Sequence, residues 1–135
     1  MKPDTVIRNS PSWGELFQRL KPMKTKDKGD VFERVTQLYL QTHPEYQSKL
    51  SKEWMLNDVP KRVRNKLNLP DTDEGIDLIA EATGKTYWAI QSKFRSDTNS
   101  TLKRSGKSGL ATFFDAAFNI CNNIEFGLVC STTSQ

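Results

Sequence analysis

The chain has 135 residues, 36% hydrophobic and 27% charged, enough for one domain with a modest core. No apolar run approaches the roughly 18 residues of a membrane span, and the polar start MKPDTVIRNS has no signal-peptide centre, which argues against a membrane or secreted protein and for a cytoplasmic one. The 20 Lys and Arg exceed the 16 Asp and Glu by +4, too little to specify a partner by itself.

Residues 1–11 read as a loose lead-in. Ser12, with Glu15 three positions on, forms a capping-box pattern. A short helix is expected over Trp13 to Leu20, with Trp13, Leu16, Phe17 and Leu20 on one stripe. KPMKTKDKG reads as a lysine-rich loop. A second helix should run from about Asp30 to Thr42, capped by Asp27 or Asp30, with Val31, Phe32, Val35, Leu38 and Tyr39 as its apolar face. Glu33 lies off that face, roughly opposite, and periodicity gives no reason to call it buried or functional. Pro44 ends this helical region. Residues 45–53 carry no clear signal. Glu53 to Val59 reads as a short strand or an irregular apolar segment, Lys61 to Leu69 as a short basic helix or turn, and PDTDEG (70–75) as an acidic turn-rich loop.

The stretch GIDLIAEATGKTYWAIQSKF (75–94) reads as a β-hairpin: a run from Ile76 to Thr83, a tight Gly84-Lys85 connection, and a run from Thr86 to Phe94 rich in β-branched and aromatic residues. Side chains alternate along a strand. Asp77, Ile79 and Glu81 therefore share one face, and Tyr87, Ala89, Gln91 and Lys93 share another. With the turn between the strands, Asp77 falls across from the far end of the second strand, near Gln91 and Lys93. A carboxylate, an amide and an ammonium converge there. Phosphodiester hydrolysis needs an activated water and neutralisation of phosphate charge, which a divalent metal supplies. Magnesium prefers a few oxygen ligands plus waters. Asp77 and the Gln91 amide oxygen offer two, and Lys93 can orient the water or stabilise developing charge.

Residues 95–109 are polar and read as a loop or the start of a helix. Leu110 to Asn122 has helical spacing of Leu110, Phe113, Phe114, Ala117, Phe118 and Cys121, an aromatic stripe best read as core. Glu125 to Thr132 reads as a buried parallel strand after a crossover helix. The expected fold class is an α/β sandwich with a mixed sheet. Cys121 and Cys130 read as buried reduced thiols; with no CxxC pair and only His43 beside them, they make no zinc site. Lys and Arg cluster at 19–28, 61–66 and 93–107, and none follows Lys107. Such clusters neutralise phosphates or simply form a solvated surface.

The order Gly75-Ile76-Asp77-Leu78 and then Gln91-Ser92-Lys93, with Asp77 and Gln91 fourteen positions apart, resembles the active-site core of the PD-(D/E)XK (restriction endonuclease-like) nuclease superfamily. More narrowly it resembles the Mrr-like branch, in which Gln replaces the second acid. Val31-Phe32-Glu33-Arg34 is similar to that branch's first-helix motif, whose acid joins the metal site. Trp54 to Pro60, Tyr87 to Phe94 and Leu110 to Ala116 are similar to segments in the N-terminal nuclease domains of helicase-fused Type ISP restriction enzymes. Ser92 departs from the Cys that many relatives carry. Pro70-Asp71 spells "PD", yet Asp77, opposite Gln91, is the aspartate assigned to the metal; Asp71, Asp73 and Glu74 read as loop acids.

The resemblance implies a restriction endonuclease-like α/β/α sandwich around a central mixed β-sheet, with residues 1–28 an N-terminal helix and linker and 29–135 the nuclease domain. It implies Mg²⁺, with Mn²⁺ as substitute, held by Asp77, Gln91 and Glu33, and Lys93 as the catalytic cation. Double-stranded DNA is the expected substrate, its phosphates met by some of Lys61, Arg62, Arg95, Lys103, Arg104 and Lys107. The ending STTSQ reads as the edge of an excised N-terminal piece, and relatives precede a helicase-like motor and sometimes a methyltransferase on the same polypeptide. Whether two copies meet for a double-strand break stays open. The rival readings are a catalytically silent DNA-binding or docking module on the same fold, and an RNA or nucleotide hydrolase.

Overall fold

In the computed structural model, which describes residues 3–10, 12–70, 75–93 and 110–131, the alternating segment forms the expected hairpin. Strands β2 (Leu78–Ala82) and β3 (Tyr87–Lys93) are antiparallel, with Leu78 opposite Ile90, Ile79 opposite Ala89 and Glu81 opposite Tyr87. The connection closes when the Lys85 N–H donates to the Ala82 carbonyl at 2.9 Å, with Lys85 left-handed at φ 63. A turn followed by a left-handed residue is a common three-residue hairpin loop.

Two more strands flank the hairpin. Strand β1 (Leu50–Met55) lies antiparallel to β2, with Met55 opposite Leu78. Strand β4 (Ile124–Ser131) lies parallel to β3, with Gln91 opposite Val129 and Lys93 opposite Ser131, giving the order β1-β2-β3-β4. A parallel neighbour requires a crossover, and helix α6, labelled after the helices below, lies in it.

The period-2 alternation sends successive strand residues to two cores. Leu78, Ala80, Ala82, Trp88 and Ile90 meet Leu40 of helix α3 (Thr25–Thr42) and Tyr46 of the short helix α4 (Pro44–Gln47). On the other side, Ile79, Tyr87 and Ala89 meet Val63 and Leu67 of α5 (Lys61–Leu67) and Phe113 of α6 (Leu110–Asp115), which continues as a π-helical turn over Ala116–Ile120. Helices thus cover both faces of a mixed sheet, the α/β/α arrangement of a restriction endonuclease-like fold.

Several boundaries differ from expectation. Residues 3–8 form a helix, α1 (Pro3–Arg8), not a loose lead-in. With α2 (Trp13–Leu20) it packs Val6, Leu16 and Leu20 around Val31. Ser12 caps α2 as expected, accepting from the Glu15 N–H at 3.2 Å. Helix α3 starts at Thr25, inside the supposed lysine-rich loop, so Asp27 and Asp30 lie within it and cap nothing. An i,i+4 ion pair of 2.8 Å between Lys26 and Asp30 and an acid in the first turn support that polar opening without any apolar face. Pro44 opens α4, with the His43 Nδ1 accepting from the Glu45 N–H. The strand expected over 53–59 lies at 50–55, and Leu56–Asp58 is a 3₁₀ turn.

Strand β4 is only partly buried, and Phe126 is 54% exposed. The aromatic stripe on α6 divides. Phe113 is core, whereas Phe114 and Phe118 are exposed and stack at 6.1 Å. They lie over Gly127, where an added Cβ would stand 3.2 Å from each ring.

Candidate active site

Asp77 sits just before β2. Extending the register that pairs Leu78 with Ile90 sets it across from Gln91. Three backbone contacts fix it. Its N–H donates to the Ile90 carbonyl at 2.8 Å, its carbonyl accepts from the Leu56 N–H at 3.0 Å, and its Oδ2 accepts from the Ser92 N–H at 2.8 Å. The carboxylate is thereby aimed by the strand that carries Gln91. One such bond occupies one of about four acceptor positions of a carboxylate.

Gln91 is fully buried, and among the described residues neither Oε1 nor Nε2 has a hydrogen-bond partner. Leaving a buried polar group unmade costs about 1–3 kcal/mol, so native proteins rarely tolerate it away from function. Gly75 makes room for this amide. Its φ is 90, and an added Cβ would lie 3.0 Å from the Gln91 Nε2 and 3.3 Å from the Phe113 Cβ. The glycine of the Gly-Ile-Asp segment is thus required twice, by its backbone and by the side chain it faces.

Lys93 is half-buried and shares Gln91's face of β3. Glu33 is half-buried on α3 and lines a cleft of about 610 Å³ with Asp30, Arg34, Gln37, Met55 and Asp58. The Gln91 amide lies against Gly75 and Phe113, on the α6 side of the sheet, whereas α3 covers the other side. The structure therefore sets Asp77, Gln91 and Lys93 at one end of the hairpin and keeps Glu33 in an adjoining cleft. That cleft reaches the hairpin through Met55, which pairs with Leu78, and Leu56, which bonds Asp77.

Among the described residues no group of three His, Cys, Asp or Glu is gathered for a metal. The donors at the hairpin are a carboxylate and a carboxamide, which such a group would not include. A fixed carboxylate opposite an unpartnered amide oxygen suits a hard, oxygen-seeking cation that keeps several waters. The residues fit such an ion.

Arg34 escaped the sequence reading, because its partner is thirty positions away. Its Nε donates to the Asp4 carboxylate at 2.7 Å and its NH1 to the Gln37 Oε1 at 2.6 Å. Gln37 Nε2 in turn donates to the Glu53 carbonyl at 2.9 Å. The guanidinium holds the Asp4 carboxyl below the usual range. Burial pushes the Glu53 carboxyl up, opposed by a hydrogen bond from Gln41.

Of the residues expected to meet phosphates, Lys61 and Arg62 are exposed on α5. Arg62 hydrogen-bonds at the Tyr87 hydroxyl, which itself donates to Glu81 at 2.9 Å, so Arg62 engages the turn end of β3, four residues from Gln91. Lys66 lies 5.2 Å over the Tyr87 ring. Arg95, Lys103, Arg104 and Lys107 lie outside the described residues, as do Asp71, Asp73 and Glu74.

Residues 41–135, well over half of the chain, match a restriction endonuclease family of the Mrr catalytic type. The match includes Asp77, Gln91 and Lys93 and begins after Glu33. A search of curated proteins finds no match. Among solved structures, the chain resembles the ATP-dependent Type ISP restriction-modification enzyme LlaBIII bound to DNA, with a TM-score of 0.55 and 26% identity. The similarity covers 84% of this chain and 6% of that one.

Proposed function

This chain belongs to the Mrr-type restriction endonuclease family, and on that premise we propose that it is the metal-dependent DNA-cutting module of a larger, helicase-coupled enzyme. The observation that carries this reading is the buried, unpartnered Gln91 amide across from the pinned Asp77 carboxylate. A fold gains nothing from an orphaned amide, whereas a ligand site does. Asp77, Gln91 and Glu33 would hold Mg²⁺, or Mn²⁺ in its place. A bound divalent cation supplies charge neutralisation at the phosphate and a more acidic water. Lys93, on Gln91's face, orients that water or stabilises the charge that develops on the phosphoryl oxygens.

Double-stranded DNA is the proposed substrate. Phosphate contacts would come from Lys61 and Arg62 and from Arg95, Lys103, Arg104 and Lys107. Contacts of that kind position the duplex and read no sequence, so recognition of a site would come from elsewhere in the polypeptide. The chain spans only 6% of the length of the Type ISP enzyme that it resembles, whose own description is ATP-dependent and DNA-bound. An ATP-driven motor, and in some contexts a methyltransferase, would deliver DNA to this module. Two copies would meet where both strands are cut.

The test is nicking of supercoiled plasmid with Mg²⁺ or Mn²⁺, by wild type beside Asp77→Ala and Lys93→Ala. Cutting by wild type that both substitutions and EDTA abolish is the expected result. Equal cutting by all three would overturn the assignment of the site. DNA binding without cutting, even by the full-length protein with ATP, would favour a silent docking module.

A further inference from the structure

We infer that Asp4, on helix α1, is a positioning residue for the active-site cleft: by holding the Arg34 guanidinium it keeps a competing cation away from the carboxylate of Glu33. The inference rests on the reading of Glu33 as a metal ligand.

Glu33 and Arg34 are adjacent on α3 and line the same cleft, together with Asp30 and Asp58. Adjacent helix positions point about 100° apart, so Arg34 does not meet Glu33 along the helix. Its long side chain is nevertheless rooted at the cleft wall. A guanidinium inside that cleft would oppose a divalent cation there, since its own charge would satisfy the acids the metal needs. Two partners prevent this. Asp4 takes Nε at 2.7 Å and NH2 at 3.5 Å, and Gln37 takes NH1 at 2.6 Å. All three guanidinium nitrogens are thereby directed at α1 and at Gln37. Gln37 is in turn anchored to β1 through the Glu53 carbonyl.

Asp4 and Pro3 also line the cleft, so α1 forms part of its wall. This segment precedes the region matched to the family, which begins at residue 41. The N-terminal helix therefore sets the charge of the cleft as well as packing against α3 through Val6.

The experiment measures Mn²⁺ affinity by electron paramagnetic resonance, without DNA and without turnover, for wild type, Asp4→Ala, Asp4→Glu, Arg34→Gln and the double variant Asp4→Ala/Arg34→Gln. Circular dichroism confirms that each is folded. The expected result is Mn²⁺ binding about two- to fivefold weaker in Asp4→Ala, the range that half-exposed ion pairs span. Asp4→Glu should restore it. The double variant should bind as tightly as wild type or tighter, because the competing cation is gone. A purely structural tie predicts the opposite, since the tie is as broken in the double variant as in the single one. A double variant as weak as Asp4→Ala, or an Asp4→Ala indistinguishable from wild type, would overturn the inference while leaving the metal site in place. Wild type that binds no Mn²⁺, or binds it equally well after Glu33→Gln, would instead overturn the underlying reading of Glu33, and this inference with it.

Discussion

Gln91 combines two properties that a core side chain rarely combines: full burial and an amide with no partner among the described residues. Replacing it with leucine, similar in size and apolar, removes an unsatisfied group that costs about 1–3 kcal/mol. Gln91→Leu should therefore raise stability to urea by about 1 kcal/mol while abolishing nicking; a loss of stability would mean that the amide has a partner worth keeping. Gly75→Ala acts through the same amide. It places a methyl 3.0 Å from the Gln91 Nε2 at a φ of 90, a backbone region that costs a residue with a Cβ about 1–3 kcal/mol. Denaturant titration should show that loss, and Gly75→Ala should also cut poorly because Gln91 must move. Sequence spacing alone brought Asp77, Gln91 and Lys93 to one end of a hairpin, since strand register is fixed by a short turn. The orphaned state of the amide could not be read the same way. It depends on Gly75 and Phe113, and Phe113 reaches the site only through tertiary packing. Glu33 was likewise not nominated by periodicity, and only the resemblance of its helix motif pointed to it.

Among elements, those with strong local signals were legible and those stabilised by polar pairs were not. Helix α2 announces itself through Ser12 and Glu15, and the hairpin through alternation and a Gly-Lys turn. The opening of α3 is a lysine-rich run with no apolar face, held by Lys26 and Asp30. Helix α1 carries one buried residue, Val6, and an ion pair from Asp4 to Arg34 that no local pattern encodes. Helix α6 was read as one apolar stripe, yet only Phe113 enters the core while Phe114 and Phe118 cover Gly127. Phe113 bridges the crossover to the site, touching both Gly75 and the β3 face. Phe113→Ala should accordingly cost about 3–5 kcal/mol of stability by denaturant titration. A loss below 1 kcal/mol would show that the crossover does not anchor to the hairpin.

The whole molecule shows its burial in its response to alkaline pH. Burial pushes the Cys121 thiol from 9.0 up to about 11, and it raises Cys130, Tyr46 and Tyr87 as well. The unfolded chain releases these protons at lower pH than the native one. The stability they contribute is thus complete below 9.0 and is lost as pH rises towards about 11. The urea midpoint should fall across that window, and Cys121→Ala should reduce the slope. A midpoint that holds steady or rises would contradict the burial described for these groups.

The central claim is that the Gln91 amide and the Asp77 carboxylate are the heart of a cation site in a DNA-cutting fold. The most direct measurement is a crystal structure of the protein with Mn²⁺, located by its anomalous scattering. The account predicts an ion bound to the Asp77 carboxylate and the Gln91 Oε1 at the roughly 2.0–2.2 Å expected of small divalent cations with oxygen ligands. An ion bound elsewhere, or a Gln91 amide satisfied by a protein group or water with no ion beside it, would contradict the account.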